Sequence, residues 1–460
     1  MSQQIHVSVV ILAAGQGTRM KSKLPKVLHP IGGKPLLAHV IDTASALNAR
    51  QTVVVYGHGG EQVRDALARP AITWVEQAQQ LGTGHAVAQA TPQLADDHTI
   101  LVLYGDVPLI RATTLSDLIY RAGTDKLGVL TVHLADPFGY GRIVRDAHGH
   151  IQRIVEQKDA TEVEKKIDEV NTGILAVNGK LLKNWLARLD NNNVQGEYYL
   201  TDIIAMAVAD GVEVIAAHPS NEDEVLGVNS RSQLAYLERV YQRQCAEELM
   251  AQGVTIIDPA RIDIRGQVSV GQDVTLDVNV VLEGEVSIGN DVYIGPNCVL
   301  RDTRVEDGVQ MQAMCVSDGA HIGASSLVGP YSRLRPGAQL VGDNHIGNFV
   351  EIKNSVIGLG SKVNHLTYIG DTDMGSGVNI GAGTITANYD GANKHRTVIE
   401  DNASTGSNSV MVAPVTIGAG ATIGAGSVIS KNAPADKLTV ARAKQITIEG
   451  WKRPLKKPKN

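Results

Sequence analysis

Apolar positions follow one rhythm up to about residue 230 and a different one beyond it. In the first part, unbroken apolar runs alternate with amphipathic stretches: IHVSVVILAAG, KPLLAHVIDTASAL, TVVVYG, a helical segment near residues 60 to 69, and TILVLYGD. Runs of Val, Ile and Leu without polar alternation predict strands buried on both faces, and their alternation with helices predicts a covered parallel sheet. From Ser232 to Gln252 the period becomes helical, with Leu234, Leu237, Val240, Tyr241 and Leu249 along one side. At about 1.5 Å per residue this helix spans about 31 Å, which suits a connecting arm. The expected divisions are residues 1–229, the arm at 230–252, a third part at 253–438 and a basic tail at 439–460.

Beyond the arm the apolar period is six. Val270, Leu276, Leu282, Ile288, Ile294 and Leu300 form one series, and Ile322, Val328, Leu334, Leu340, Ile346 and Ile352 a second. A third runs Thr405, Met411, Ile417, Ile423 and Ile429. Of the 47 glycines, 25 fall between Gly266 and Gly426. Three such hexads make one triangular coil, with aliphatic side chains stacked inside and glycines relieving the corners. Seventeen positions in register disfavour a Gly-rich β-sandwich. The pattern resembles the left-handed parallel β-helix of hexapeptide acyltransferases, a fold that departs from the right-handed crossover rule.

Charge and cysteine content narrow the function. Lys plus Arg is 42 and Asp plus Glu is 48, a net charge of −6 that does not suit a dedicated nucleic-acid binder. Three cysteines, Cys245, Cys298 and Cys315, cannot build a disulfide framework, and no signal-peptide pattern opens the chain. A cytoplasmic protein is expected. The uncharged run from Ala403 to Ser430 is rich in Gly, Ser, Thr and Asn, so no membrane span is expected.

Candidate chemistry in the first part begins where VVILAAG meets GQGTRMKSKLPKVL. Gly15 and Gly17 allow close backbone approach, and Arg19, Lys21, Lys23 and Lys26 supply fixed positive charge, the two things phosphates need. No third glycine stands three residues after Gly17, so this is not the dinucleotide fingerprint. Gln77 and the QLGTGHA turn, with Gly82 and Thr83, precede a helix and suit base and ribose contacts. Asp106 in YGDVPL ends a predicted parallel strand, where open α/β sheets bind ligands. A carboxylate among phosphate-binding lysines points to a bridging magnesium ion. A helix cap is the alternative reading of Asp106.

The string LAAGQGTRM followed by LPK resembles nucleotidyltransferases that make sugar nucleotides. With GYGRIV, IVEQKDA, NTGI and GVNSR, and with the hexads, the whole chain resembles the bacterial bifunctional N-acetylglucosamine-1-phosphate uridyltransferase and glucosamine-1-phosphate acetyltransferase family, which serves cell-envelope precursor synthesis. The resemblance implies a Rossmann-like α/β nucleotidyltransferase domain joined to a left-handed parallel β-helix. It implies that Asp106 and Asn229 hold the metal and that Lys26 and Gln77 meet nucleotide phosphate and base. It places Leu12, Ala13, Ala14, Gly15, Gly82, Thr83, Tyr104 and Gly105 around the UDP-sugar, with Gly141, Glu156 and Asn171 on the amino sugar. Arg19 and Lys26 would assist as sugar phosphate attacks the α-phosphorus of UTP and expels pyrophosphate.

In the second part, Arg335 in RLRPG, Lys353 in EIKNS, His365 and Tyr368 in NHLTYIGD, and Asn388 with Tyr389 in TANYDG fall on successive coils. A smooth solenoid has no packing use for them, so the cluster suggests a phosphorylated substrate and a base. By itself His365 reads as a structural histidine. The resemblance makes it the general base on the sugar amine, which attacks the thioester of acetyl-CoA, with Glu351 orienting the ring. It places Arg335, Lys353 and Tyr368 on the sugar phosphate, and Asn379, Asn388 and Tyr389 around the sugar. Ala382, Ser407, Ala425 and Arg442 would line the coenzyme A groove, with Ser407 also near the oxyanion. The family packs three prisms about a three-fold axis, which implies a homotrimer.

Two departures stand out. IEDNASTGS replaces an apolar-aromatic coil and puts Thr405 at an inward position, which predicts a loosely packed coil. Ile448 stands where relatives often carry Lys, near a coenzyme phosphate. The closing WKRPLKKPKN carries Lys452, Arg453, Lys456, Lys457 and Lys459 without an acid. A rival reading makes the solenoid a trimerisation platform on a single-function nucleotidyltransferase, and another keeps acetyl transfer alone with a different nucleotide or sugar.

Overall fold

The computed structural model describes residues 5–57 and 60–456. Contacts divide the chain into two compact units, Met1–Arg243 and Gln244–Asn460.

The first unit is built on a sheet whose strands run in the order Val214–Ala217, Leu127–His133, Glu169–Asn178, Thr99–Tyr104, Val7–Ala13, Gln51–Gly57 and Ile72–Gln77. The apolar strands foreseen from their composition pair in parallel: Val7–Ala13 lies between Gln51–Gly57 and Thr99–Tyr104. The parallel expectation fails at Glu169–Asn178, which is antiparallel to both of its neighbours. The chain reaches it through the hairpin of Arg142–Arg145 and Ile151–Val155 rather than through a helical crossover, so it can enter from the opposite end. Its register slips between Asn171 and Leu175, with Gly173 at φ 86°, and the slip lies at the site described below.

The helix foreseen at 232–252 spans Arg231–Ala251. Within the first unit, Leu237 is buried, and Leu234, Val240 and Tyr241 pack with it against Met20, Ile31, Leu36, Leu109 and Val228. The Tyr241 ring meets His39 edge-on and closes over Gly32, where a Cβ would fall 2.1 Å from the ring. Gly32 sits at φ 56° and its N–H donates to Glu238 Oε2 at 2.9 Å.

The second unit is a parallel β-helix with three faces. One face is an eleven-stranded ladder from Thr255–Ile256 to Leu438–Thr439, and the other two form a seventeen-stranded sheet that turns a corner at every coil. Sixteen of the seventeen inward positions read from the hexads are buried, and Val270 is half-buried. The period drops to five between Leu300 and Val305, Ser317 and Ile322, Ile352 and Ile357, and Ile369 and Met374, all buried positions. It expands between Thr386 and Ile399, where a short hairpin bridged at Tyr389 and Lys394 interrupts the coil.

The loose coil expected at Thr405 is not found. Thr405 is buried, its Oγ1 accepts from Gly381 N–H at 3.0 Å, and it lies 3.2 Å from Thr384 Oγ1, so the hydroxyl replaces aliphatic contact with satisfied hydrogen bonds. Cys298 and Cys315 are buried, and the Cys298 thiol donates to Gln312 O at 3.0 Å, as small packing residues would.

Candidate functional site

Two groups of polar side chains stand out, one in each unit. In the first, a cleft of about 430 Å³ opens at the carboxyl ends of the parallel strands. Leu12, Ala13, Ala14 and Gly15 form one wall, and Gln77, Gly82 and Thr83 line it with Tyr104, Asp106 and Asn229. Close approach shapes the loop after Ala14: a Cβ on Gly17, which sits at φ 62°, would fall 2.6 Å from Lys26 Cβ. Gly82 at φ 111° turns the chain into the helix Thr83–Ala90, and the Gln77 amide ties that turn by donating to Gly82 O at 3.1 Å. Gly105 is buried behind the cleft, its N–H on Leu12 O at 2.9 Å, so it supports the wall without lining it.

The Lys26 ammonium bridges Asp106 Oδ2 at 2.5 Å and Asn229 Oδ1 at 3.0 Å. Asp106 follows a strand and precedes no helix directly; the next helix, Ala112–Ala122, is entered from Arg111. The helix-cap reading therefore lapses. Two oxygen atoms already converging on one cation, with Gly227 leaving the space beside them open, suit a hard divalent ion whose remaining ligands come from phosphate and water.

A second cavity of about 250 Å³ shares Tyr104, Asp106 and Asn229 with the first and is lined by Arg19, Phe138, Tyr140 and Thr172. Gly141, Glu156 and Asn171 gather beyond Tyr104. Asn171 N–H donates to Gly141 O at 2.9 Å, and a Cβ on Gly141 would lie 3.4 Å from the Glu156 carboxylate. Burial pushes the Glu156 carboxyl above the usual range, and Thr201 donates to it at 3.1 Å. Burial, with Glu156 and Asp106 nearby, also pushes the Tyr104 phenol up, so it stays a neutral donor. Sequence reasoning missed Arg142. Its buried guanidinium donates to Tyr140 O and to Gln157 Oε1, fixing the loop that carries Phe138 and Tyr140.

In the second unit, the β-helix register stacks candidate residues into columns. Asn348 pairs with His365, and backbone bonds carry the column onward: Gly383 N to His365 O, Asn408 N to Ala382 O, and Gly426 N to Ser407 O. Arg442 then donates to Ala425 O at 2.7 Å. His365, Ala382, Ser407, Ala425 and Arg442 thus follow one edge. A parallel column pairs Arg333 with Glu351 and Glu351 with Tyr368.

Glu351 does not orient His365. It accepts from Arg335 Nη1 at 2.8 Å and lies 3.7 Å from Arg333, while His365 Nδ1 meets Asn348 Oδ1 at 2.8 Å. Two arginines flank Glu351 on its own face, so it is engaged there. Asn348 precedes His365 by 17 residues, one shortened coil, and a strict six-residue period hides that alignment. Lys353 has Lys394 beside it, which with slight desolvation pushes the Lys353 ammonium below its usual range. Asn388 lies 3.5 Å from Tyr368 Oη. Tyr389 is exposed and donates to Gly391 O at 2.6 Å within the hairpin. Asn379 pairs with Lys362 on the strand face, outside the Arg335, Lys353 and Tyr368 cluster. Ile448, Lys452, Arg453 and Lys456 are exposed, and Lys457 and Lys459 lie outside the described residues.

Residues 9–170 match the family model of the MobA-like NTP transferase domain. Residues 267–302 and 396–431 match that of the bacterial transferase hexapeptide. The chain is 59% identical over 453 residues to the "Bifunctional protein GlmU" of Ralstonia pickettii strain 12J, covering 98% of this chain and 100% of that one. It is 58% identical over 454 residues to the protein of that name from Ralstonia nicotianae, with 99% and 100% covered. A third, from Methylococcus capsulatus, is 59% identical over 453 residues, with 98% of each covered.

Proposed function

The chain belongs to the GlmU family of bifunctional enzymes and is both a uridyltransferase and an acetyltransferase, and from that premise we propose how its two groups of residues divide the work. Coverage of both halves by the same relatives answers the platform reading, which would leave the β-helix without chemistry.

In the first unit, UTP takes the cleft between Ala14–Gly15 and Gln77–Thr83, and N-acetylglucosamine-1-phosphate takes the region of Gly141, Glu156 and Asn171. Lys26 and Arg19 neutralise phosphate charge while the sugar phosphate oxygen attacks the α-phosphorus and the bond to pyrophosphate breaks. Asp106 and Asn229 would hold Mg²⁺, which supplies charge neutralisation across the phosphates. Lys26 would then leave their oxygens for phosphate.

In the second unit, acetyl-CoA lies along the edge of Ala382, Ser407, Ala425 and Arg442, and Arg335, Lys353 and Tyr368 hold the phosphate of glucosamine-1-phosphate. Asn348 Oδ1 can only accept, so Nδ1 of His365 carries the ring proton and Nε2 offers a lone pair. That nitrogen takes a proton as the sugar amine adds to the thioester carbonyl, and the coenzyme thiolate then leaves. Acetylation precedes uridylylation. A homotrimer in the cytoplasm suits the β-helix and the chain's composition; no helix among the described residues is long and apolar enough to cross a membrane.

The observation that carries this division is the meeting of Lys26, Asp106 and Asn229 in the cleft, far along the chain from the His365 column. Incubation with glucosamine-1-phosphate, acetyl-CoA, UTP and magnesium should release free thiol, pyrophosphate and UDP-N-acetylglucosamine. Thiol release without pyrophosphate, or the reverse, would refute it.

A further inference from the structure

A carboxylate with no role so far lies at the centre of the acetyl-transfer group. Asp371 sits where the chain turns from Tyr368–Gly370 to Thr372–Met374, at one of the five-residue steps, with φ 48°. Its backbone is held on both sides: its N–H donates to Lys353 O and its carbonyl accepts from Thr397 N, each at 3.1 Å. The side chain is buried among polar groups. Oδ1 accepts from Asn354 Nδ2 at 2.5 Å, and Oδ2 accepts from Asn388 Nδ2.

These contacts constrain two neighbours. A carboxylate can only accept, so the Asn388 amide must turn its NH₂ toward Asp371 and its carbonyl oxygen away. Against the opposing effect of burial, Asn354, Asn388, Lys353 and Lys394 hold the Asp371 carboxyl below its usual range, so it stays charged. An aspartate suits a left-handed corner, and Asp302 fills the same turn four coils earlier, but that residue is exposed, whereas Asp371 is buried and bonded to Asn354 and Asn388.

We propose that Asp371 is a positioning residue for acetyl transfer: it fixes the Asn388 carbonyl oxygen toward the sugar amine. A primary amine has two N–H bonds and one lone pair. With one N–H on Asn388 and the other on His365 Nε2, the lone pair is left for the thioester carbonyl. The proposal rests on the acetyl-site reading above.

Full-length Asp371→Asn tests it by steady-state kinetics. The uncharged amide can offer its own NH₂ to Asn388 and let that side chain flip. The KM for glucosamine-1-phosphate should rise about tenfold or more, the scale of one charge-assisted hydrogen bond, while the KM for acetyl-CoA and uridylyl transfer stay unchanged. A merely structural Asp371 would lower the melting temperature and leave both KM values alone. Asn388→Ser, which keeps the Asp371 to Asn354 bond, should raise the same KM even if D371N does not fold; an unchanged KM in N388S overturns the proposal. Loss of acetyl transfer in His365→Ala alongside wild-type kinetics in D371N would refute this role alone. Retention of acetyl transfer in His365→Ala would refute the site reading beneath it.

Discussion

His365 Nδ1 lies 2.8 Å from Asn348 Oδ1, one coil away in the β-helix register. The pairing is enforced by the backbone ladder, because Leu366 N–H donates to Asn348 O at 3.1 Å and locks the two residues in step. A neutral amide therefore sets the histidine tautomer, and Glu351 serves Arg335 instead. Nε2 is thereby the ring nitrogen left with a lone pair, without a carboxylate on the ring.

His365→Ala should lower acetyl transfer by roughly 10² to 10⁴ fold, the usual contribution of a general base, and leave uridylyl transfer intact. Asn348→Asp should keep the geometry but place a negative charge beside the ring. That charge favours the protonated imidazolium, and a protonated ring cannot act as base, so the acidic limb of the acetyl-transfer profile should move to higher pH. A limb that stays put or moves to lower pH would separate Asn348 from the base.

Lys26→Ala and Asp106→Ala should each abolish uridylyl transfer while acetyl transfer proceeds, because on the proposed division the triphosphate of UTP is neutralised at this cleft and the β-helix holds only the sugar phosphate. A metal chelator should reproduce that split in the unmodified protein, with magnesium restoring pyrophosphate release. Thiol release that also stopped on chelation would contradict the assignment of Asp106 and Asn229 as the oxygen ligands.

The sequence revealed what is periodic and hid what interrupts the period. Val7–Ala13, Gln51–Gly57 and Thr99–Tyr104 are legible because strands buried on both faces must be apolar throughout, and the hexads because one inward position recurs six apart. The ILAV stretch of Glu169–Asn178 is as apolar as the parallel strands, so nothing in that buried half reveals its reversed direction. The five-residue steps at Asn354 and Asp371 break the six-residue register beside Lys353, Tyr368 and Asn388, three of the residues proposed for acetyl transfer. That is why Asn348 and Asp371 were invisible while His365, carried by a motif, was not.

Thr405→Val tests whether the polar inward position is satisfied. Valine matches the shape but cannot accept from Gly381 N–H, and the position is buried. The loss should be about 1–3 kcal/mol of stability, the penalty for leaving a buried donor unmade. Urea unfolding of the β-helix should report it. A neutral or stabilised variant would mean that the hydroxyl contributes nothing there and that an aliphatic residue would serve as well.

The end of the first unit can be tested by truncation. Lys26, Asp106 and Asn229 all precede the long helix, which suggests that residues 1–229 suffice for uridylyl transfer. Yet Leu237 is buried against Met20, Ile31, Leu36, Leu109 and Val228, Glu238 accepts from Gly32 N–H, and Arg231 donates to Met20 O at 3.3 Å. Met20 closes the short helix that carries Arg19, so the helix braces the phosphate loop from behind. Ending the chain at 229 removes these contacts, and each fully buried aliphatic side chain is worth about 1.5–3 kcal/mol. A fragment of residues 1–243 should retain uridylyl transfer, whereas residues 1–229 should melt at a lower temperature and lose affinity for UTP as the loop loosens. Thermal unfolding and pyrophosphate release measured on both fragments decide it: equal stability and equal KM would show that the helix does not support the loop.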